Sequence, residues 1–590
     1  MTEVSEDLLI ELREKCEKVQ NLLEEESKRD PETEPYKSKY AAREILSDMK
    51  SCLTNLKDSV RSSDPLFEEI EAMYGSVLLL LGIVALETEE LATGEEHLMN
   101  CLACMEDQSM HPKKVLIVLR ALNQLGLLWS QRSDGTKSHG YLQQAEQLYN
   151  DYTDQVEEQP VDVYALFTSP DQTPAQTKGD SPLEKVHTLT LYYLAQVYGT
   201  LGNPLKSAVY CHNTLKRQLE SKDYDMIEWA LNSATLAQFF MEQNAFRQAR
   251  HHLSAASYVL DKHDQELQTI ECSEEELEAK KERLKHRGAD VARCWAKYGI
   301  VLLSTSRDRL MEAEEGQSGD ATPQRLRPPG ELSGLQFSLL ELSVYEDQVT
   351  DSFVLTYDDA RTVFLNCQQW LGQAKLYYTL DDHASDHVRI IQDYSELYRN
   401  LVFFEDDEER QCKMHKRRVD LLEGVVKELN PTYFLTTCQE LWFELGETYT
   451  AMVDIKLSKL EANSDTPSAH ALQKVNHLAE QAIAAYNKFL DTLRDHKTKE
   501  IPDKFSPELE RPGLLIYFYL AGLYRKLIAA DKATKLANLK NSLKYYQKVV
   551  EYCQRHEGAK DSVSAELSAC QDIVSLLPLK INKLAETVSH

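Results

Sequence analysis

Residues 191–214 read LYYLAQVYGTLGNPLKSAVYCHNT, and the spacing inside this stretch decides the fold. Leu194, Ala195 and Tyr198 make one cluster of small, apolar and aromatic residues; Ser207, Cys211 and Thr214 make a second beyond a Gly-Asn-Pro break. Residues three and four apart share a helix face, and small side chains there let two helices approach closely, so the stretch predicts an antiparallel helix pair. The pattern recurs on both sides. Leu81, Gly82 and Ala85 lead to Gly94, Leu98 and Cys101, and Leu125, Gly126 and Trp129 lead to Ser138, Leu142 and Ala145. Downstream, Leu236, Ala237 and Phe240 lead to Ala249, Leu253 and Ala256. A succession of such units, each about 34 residues long, is the pattern of tetratricopeptide repeats. The expected fold is all-α, a right-handed α-solenoid of tetratricopeptide-like helix-turn-helix repeats.

Between the second and third units, Thr168 to Pro182 is rich in Pro, Ser, Asp, Gln and Thr and reads as a solvated loop. A long helical run follows the fourth unit from Ser273 to about Glu315, opening on a capping serine and carrying Ala289, Ala292, Trp295, Tyr298 and Leu302 at helical spacing. Gly316 to Gly334 then has the Gly and Pro content of a linker. Beyond it the pairs resume with longer helices: Leu445, Gly446 and Tyr449 answer Ala482, Tyr486 and Phe489, and Leu520, Ala521 and Tyr524 answer Ser542, Tyr546 and Val549. The predicted organisation is an amino-terminal solenoid over 1–272, a long linker helix and flexible loop over 273–335, and a diverged solenoid over 336–590.

Composition narrows the function. Against 66 Lys and Arg stand 96 Asp and Glu, a net charge of −30, which disfavours nucleic-acid phosphates and anionic lipid as partners and favours a basic protein. The apolar stretch Ser76 to Leu86 falls short of the roughly 20 residues that span a bilayer and reads as a buried helix, so no membrane insertion is expected. The 12 cysteines are scattered and the amino terminus is too polar for a secretory signal, which points to a reducing, cytoplasmic setting.

Nothing in the sequence offers a seat for catalysis. Gly-rich phosphate loops, nucleophile elbows and metalloprotease helices are lacking, so neither an enzyme, a small-molecule substrate nor a cofactor is expected. Cys101 and Cys104 form a lone CxxC without a second ligand pair, which reads as two buried structural thiols rather than zinc ligands. His383 and His387 lie four apart beside Asp381, Asp382 and Asp386, which reads as polar helix surface before a metal site. The basic run Lys413, His415, Lys416, Arg417 and Arg418 follows Glu405, Asp406, Asp407, Glu408 and Glu409, and a solvated ion-pair network between neighbouring turns is expected.

The concave groove is the better candidate. The repeat register places Tyr192, Tyr193 and Gln196 of the third unit there, with Thr235 and Gln238 of the fourth. Tyr supplies rigid contact area and Gln adaptable hydrogen bonds, a pairing suited to an amphipathic helix of a partner. In the first unit the same register gives Leu79 and Ile83, not the Lys, Arg and Asn that would clamp a carboxylate tail. That weighs against the alternative of a general scaffold or co-chaperone adaptor collecting short peptides.

Longer strings carry a family resemblance: EPYKSKYAAR (34–43), TEELATGEEHL (88–98), LYYLAQVY (191–198), YCHNTLKRQLE (210–220), IEWALNSAT (227–235), KMHKRR (413–418), FLDTLRD (489–495) and VSLLP (574–578). From about Asp30 to about Lys580 the chain resembles the KIF-binding protein family. The resemblance implies a helical solenoid that binds the motor domains of a subset of kinesins and keeps them off microtubules. It also implies ties to neuronal outgrowth and mitochondrial distribution; separately, a monomer is expected, although the sequence leaves oligomeric state open. The family's groove contacts carry over to Tyr193, Gln196, Thr235 and Gln238, and its motor-touching loop to Leu429–Tyr433, with Asn430, Pro431 and Tyr433 as contacts.

Overall fold

The computed structural model describes residues 6–61, 64–168, 181–270, 272–314, 330–462, 468–495 and 497–588. Most of the expected loop at 168–182 and of the linker at 316–334 therefore lies outside the described residues. Among the residues described there are twenty α-helices and no strand, as an α-solenoid requires. The chain divides into two compact units, Met1–His263 with Arg327–Leu342, and Asp264–Leu326 with Ser343–His590.

In the first unit the order is α1 (Glu6–Asn21), α2 (Lys37–Ser59), α3 (Pro65–Glu87), α4 (Leu91–Met105), α5 (Val115–Gln131), α6 (Gly135–Gln155), α7 (Pro182–Thr200), α8 (Pro204–Ser221), α9 (Met226–Glu242) and α10 (Phe246–Leu267). Side-chain caps set several starts: Asp134 accepts from the Lys137 N–H at 3.0 Å, Asn203 from Lys206 at 3.1 Å and Asp225 from Glu228 at 2.9 Å. Pro182 and Pro204 occupy first turns, where a missing N–H costs nothing.

Within each pair the small residues sit where the backbones meet. A Cβ on Gly126 would lie 2.6 Å from the Leu142 side chain, and the Ser138 hydroxyl donates to the Gly126 carbonyl at 2.6 Å. Gly82 and Gly94 make the same close approach between α3 and α4. The apolar helix α3 packs inward rather than outward: two thirds of its most apolar window is buried, with Val77, Leu79 and Leu81 in the core.

Residues 330–342 also belong to this unit. Phe337 is buried among Trp229, His212, His251 and His252, stacking on His212 at 4.7 Å, and its backbone N–H donates to His251 Nε2 at 2.8 Å. His212 Nδ1 and His252 Nε2 share a 3.0 Å hydrogen bond behind it.

The second unit comprises α11 (Glu274–Glu314), α12 (Ser343–Glu346), α13 (Tyr357–Tyr377), α14 (Ala384–Phe403), α15 (Glu408–Glu428), α16 (Leu435–Ala462), α17 (Ala469–Thr492), α18 (Pro507–Lys526), α19 (Lys532–Arg555) and α20 (Ser564–Val588). The Ser273 hydroxyl accepts the Glu276 N–H at 3.3 Å, the expected cap of α11. Trp295 of α11 stacks on Trp370 of α13 at 5.0 Å. The predicted long pairs are α16 with α17, where Gly446 leaves room for the Tyr486 ring, and α18 with α19, where Ser542 donates to the Ala521 carbonyl at 2.7 Å.

Two surface readings need correction here. In the basic run on α15, Lys413, Lys416 and Arg417 are solvent-exposed as expected, but His415 and Arg418 are buried, at 5% and 3% exposure, and so are no part of a solvated network. Arg418 reaches Ser395 at 3.0 Å, His415 at 3.2 Å and Glu444 at 3.4 Å, on α14, α15 and α16. Helical periodicity turns one side of a charged run inward, and a buried guanidinium is stable only where its donors are matched. Nor are His383 and His387 plain helix surface: His383 stacks on Tyr377 at 5.3 Å and His387 Nδ1 hydrogen bonds the Tyr378 carbonyl at 2.9 Å, fastening α13 to α14.

Candidate protein-binding face

α7 and α9 each present one stripe to solvent. On α7 the exposed positions are Lys185, Leu189, Tyr192 and Gln196, and on α9 they are Glu228, Asn232, Thr235, Gln238 and Glu242. Their spacing of three or four residues keeps each set on one side of its helix. The opposite side of each helix is core: Leu191, Leu194, Ala195 and Val197 on α7, and Ser233, Ala234, Leu236 and Ala237 on α9. The structure thus brings Tyr192 and Gln196 onto one stripe and Thr235 and Gln238 onto another.

Tyr193 stands apart. Its ring is half-buried against Leu142, Leu194 and Val197 and lies 5.7 Å from Tyr192, and burial raises its phenol above the ordinary range. It supports Tyr192 from the flank of the stripe. Leu189, 40% exposed, and Tyr192, 44% exposed, make an apolar step on an otherwise polar helix side. Leu189 was missed in the sequence, although it lies three and seven residues ahead of Tyr192 and Gln196. Thr235 already donates to the Leu231 carbonyl at 2.8 Å, so toward a partner its hydroxyl offers an acceptor.

The matching side of α3 and α5 is not open. Residues 161–167 lie across it: Arg120 pairs with Asp162 at 2.7 Å, Ser76 donates to the Val163 carbonyl at 3.1 Å, and Val163 and Phe167 are buried. Leu79, read as a groove position, is fully buried, which corrects the register there. An irregular segment with few repeat features gave no sign that it would cap these helices.

In the second unit the connection between α15 and α16 displays the other candidates. Asn430 accepts from the Thr432 N–H at 3.0 Å through its side chain and from Tyr433 and Phe434 through its carbonyl at 3.1 Å, fixing a tight turn. Leu429 is buried as the anchor, while Asn430, Pro431 and Tyr433 are exposed and Tyr433 is 81% solvent-accessible. An aromatic held out on a hydrogen-bonded turn is pre-ordered for contact, and burying one such ring contributes about 1.5–3 kcal/mol.

Burial drives the Cys101 thiol far above its usual range and Cys104 up to about 11, so neither is a thiolate near neutrality. Among the described residues, no group of three or more His, Cys, Asp or Glu side chains is placed to hold a metal.

Comparison with known proteins agrees along the whole chain. Residues 227–584 match the family model described as KIF-1 binding protein C terminal. The chain is 36% identical to the KIF-binding protein of Danio rerio, with 98% of this chain and 99% of that one covered. It is 37% identical to the Gallus gallus KIF-binding protein, covering 96% and 97%, and 35% identical to that of Drosophila melanogaster, covering 98% of both.

Proposed function

This chain belongs to the KIF-binding protein family, and from that premise we propose that it binds kinesin motor domains and blocks their attachment to microtubules. The observation that carries the reading is the α7–α9 face, where Tyr192, Gln196, Thr235 and Gln238 stand in solvent on two rigid helices. Tyr193 braces this face, and Asn430, Pro431 and Tyr433 of the second unit supply further contacts to the motor.

The electrostatics support the same partner. A motor's track-binding side must attract acidic tubulin and is therefore basic; a chain with a net charge of −30 competes for that side by matching the same charge. Inhibition is then steric and electrostatic. The chain makes and breaks no covalent bond, needs no cofactor, and acts in the cytoplasm as a regulator of microtubule-based transport, with neuronal outgrowth and mitochondrial distribution downstream.

Co-sedimentation of a kinesin motor domain with microtubules, in a nucleotide state that favours strong track binding, tests this. Addition of the chain moves the motor from pellet to supernatant for at least one kinesin class. Equal pelleting across every class tried contradicts the inhibition.

A further inference from the structure

On the first unit, a recess of about 490 Å³ opens between α2 and α4 over the buried side chain of Leu81. Its wall is one stripe of α2, with Ser47, Lys50, Ser51, Thr54 and Asn55 at helical spacing, and His97 of α4 stands opposite. No carboxylate lines it, although acidic residues outnumber basic ones by 96 to 66 along the chain.

Ser47, Ser51 and Thr54 each donate to the carbonyl four residues back on α2, at 2.8, 3.0 and 2.8 Å, so their protons are spent. Lys50 does not share this fate: its neighbours Lys15 and Lys57 are ion-paired, to Asp48 and Glu71, while the Lys50 ammonium has neither ion pair nor hydrogen bond among the described residues. His97 Nδ1 is closed off from solvent without a hydrogen-bond partner. Burial, and then the charge of Lys50, hold the His97 imidazole below its usual range, and both side chains line the recess.

We propose that this recess binds the carboxylate of an Asp or Glu side chain from a protein partner, with Lys50 neutralising it and His97 and Asn55 hydrogen bonding it. Lys50 sits on α2 and His97 on α4, so the site is separate from the α7–α9 stripes and does not rest on the kinesin reading. A short acidic peptide suits the volume, with one carboxylate inserted and the rest of the peptide along the α2 hydroxyl stripe.

The test uses the full chain and a fluorescently labelled hexaglutamate peptide, followed by anisotropy, with inorganic phosphate as competitor. Lys50→Gln weakens binding about tenfold and Lys50→Arg retains most of it, while His97→Ala produces a smaller loss. Thermal melts of the two Lys50 variants match the parent, since among the described residues the Lys50 ammonium makes no ion pair or hydrogen bond. Peptide binding that ignores Lys50→Gln overturns the proposal. So does displacement of the peptide by millimolar phosphate, which would mark a phosphoryl site, and so does an absence of peptide binding to the parent chain.

Discussion

The Ser207 hydroxyl on α8 donates at 2.8 Å to the carbonyl of Ala195 on α7, twelve residues earlier. Ser138 makes the same bond to Gly126 one pair upstream, again at an offset of twelve. Gly82 and Gly94, and Ala237 and Ala249, stand at this offset without a hydroxyl. A repeating unit has placed one small residue on each helix at the point of closest approach, and where the second is Ser it ties the two backbones together. Ser138→Ala and Ser207→Ala are each expected to lower stability by about 1 kcal/mol, read as a shift in the urea midpoint of the first unit. Midpoints unchanged in both variants would mean that contact alone holds the pairs.

Adding volume at the same point is more damaging than removing a hydrogen bond. The Cβ of Gly126→Ala would meet Leu142, which is fully buried and cannot withdraw to solvent. Overpacking of this kind costs about 1–3 kcal/mol. The melting temperature of Gly126→Ala falls, whereas Gly140→Ala on α6, where a new Cβ meets nothing within 4 Å, leaves it unchanged or raised.

Phe337 closes a cage of three histidines and Trp229, and its ring is the main apolar anchor of residues 330–342. Phe337→Ala leaves a cavity and is expected to cost about 3–5 kcal/mol of the local attachment. Limited proteolysis followed by mass spectrometry then finds cuts within 330–342 that the parent resists. Equal resistance would show that Leu332, Leu335 and Leu342 suffice to hold the segment.

Histidines buried in the neutral form, His187, His212, His252 and His415 among them, give stability a direction with pH. Burial lowers His187 to about 3 and His212 and His415 to about 4. In the unfolded chain these rings titrate near 6.5, so between roughly pH 4 and pH 6.5 the unfolded state binds more protons. Their contribution is fully present above about pH 6.5 and is lost as pH falls toward about 4. Urea midpoints measured at pH 7.5, 6.0 and 5.0 therefore decline, and His187→Gln flattens part of the slope. A flat profile over this range would contradict neutral burial.

The fold was legible because a helix pair leaves a local mark: small residues at fixed spacing are required wherever two backbones close up, and Gly82, Gly126, Ala195 and Ala237 are such residues. Ser273 announced the start of α11 for the same reason, since unsatisfied N–H groups need an acceptor. The candidate face was half legible. Tyr192, Gln196, Thr235 and Gln238 fell on solvent stripes because helical period fixes which side is free, but Tyr193 turned partly into the core and Leu189 went unnoticed. Leu79 was misjudged because the cover over α3 and α5 comes from residues 161–167, and a long-range contact by irregular chain leaves no periodic trace. The burial of Arg418 was hidden likewise, its partners Ser395 and Glu444 lying on helices that sequence spacing does not relate to it.

The most direct measurement is the affinity of one kinesin motor domain, of a class the chain removes from microtubules, for the parent chain and for a variant carrying Tyr192→Ala, Gln196→Ala, Thr235→Ala and Gln238→Ala. These side chains are exposed, so the variant should melt with the parent, and interferometry should record affinity reduced at least tenfold, equivalent to about 1.4 kcal/mol or more. An unchanged affinity with an unchanged melting temperature would remove the α7–α9 face from the interface and contradict the account.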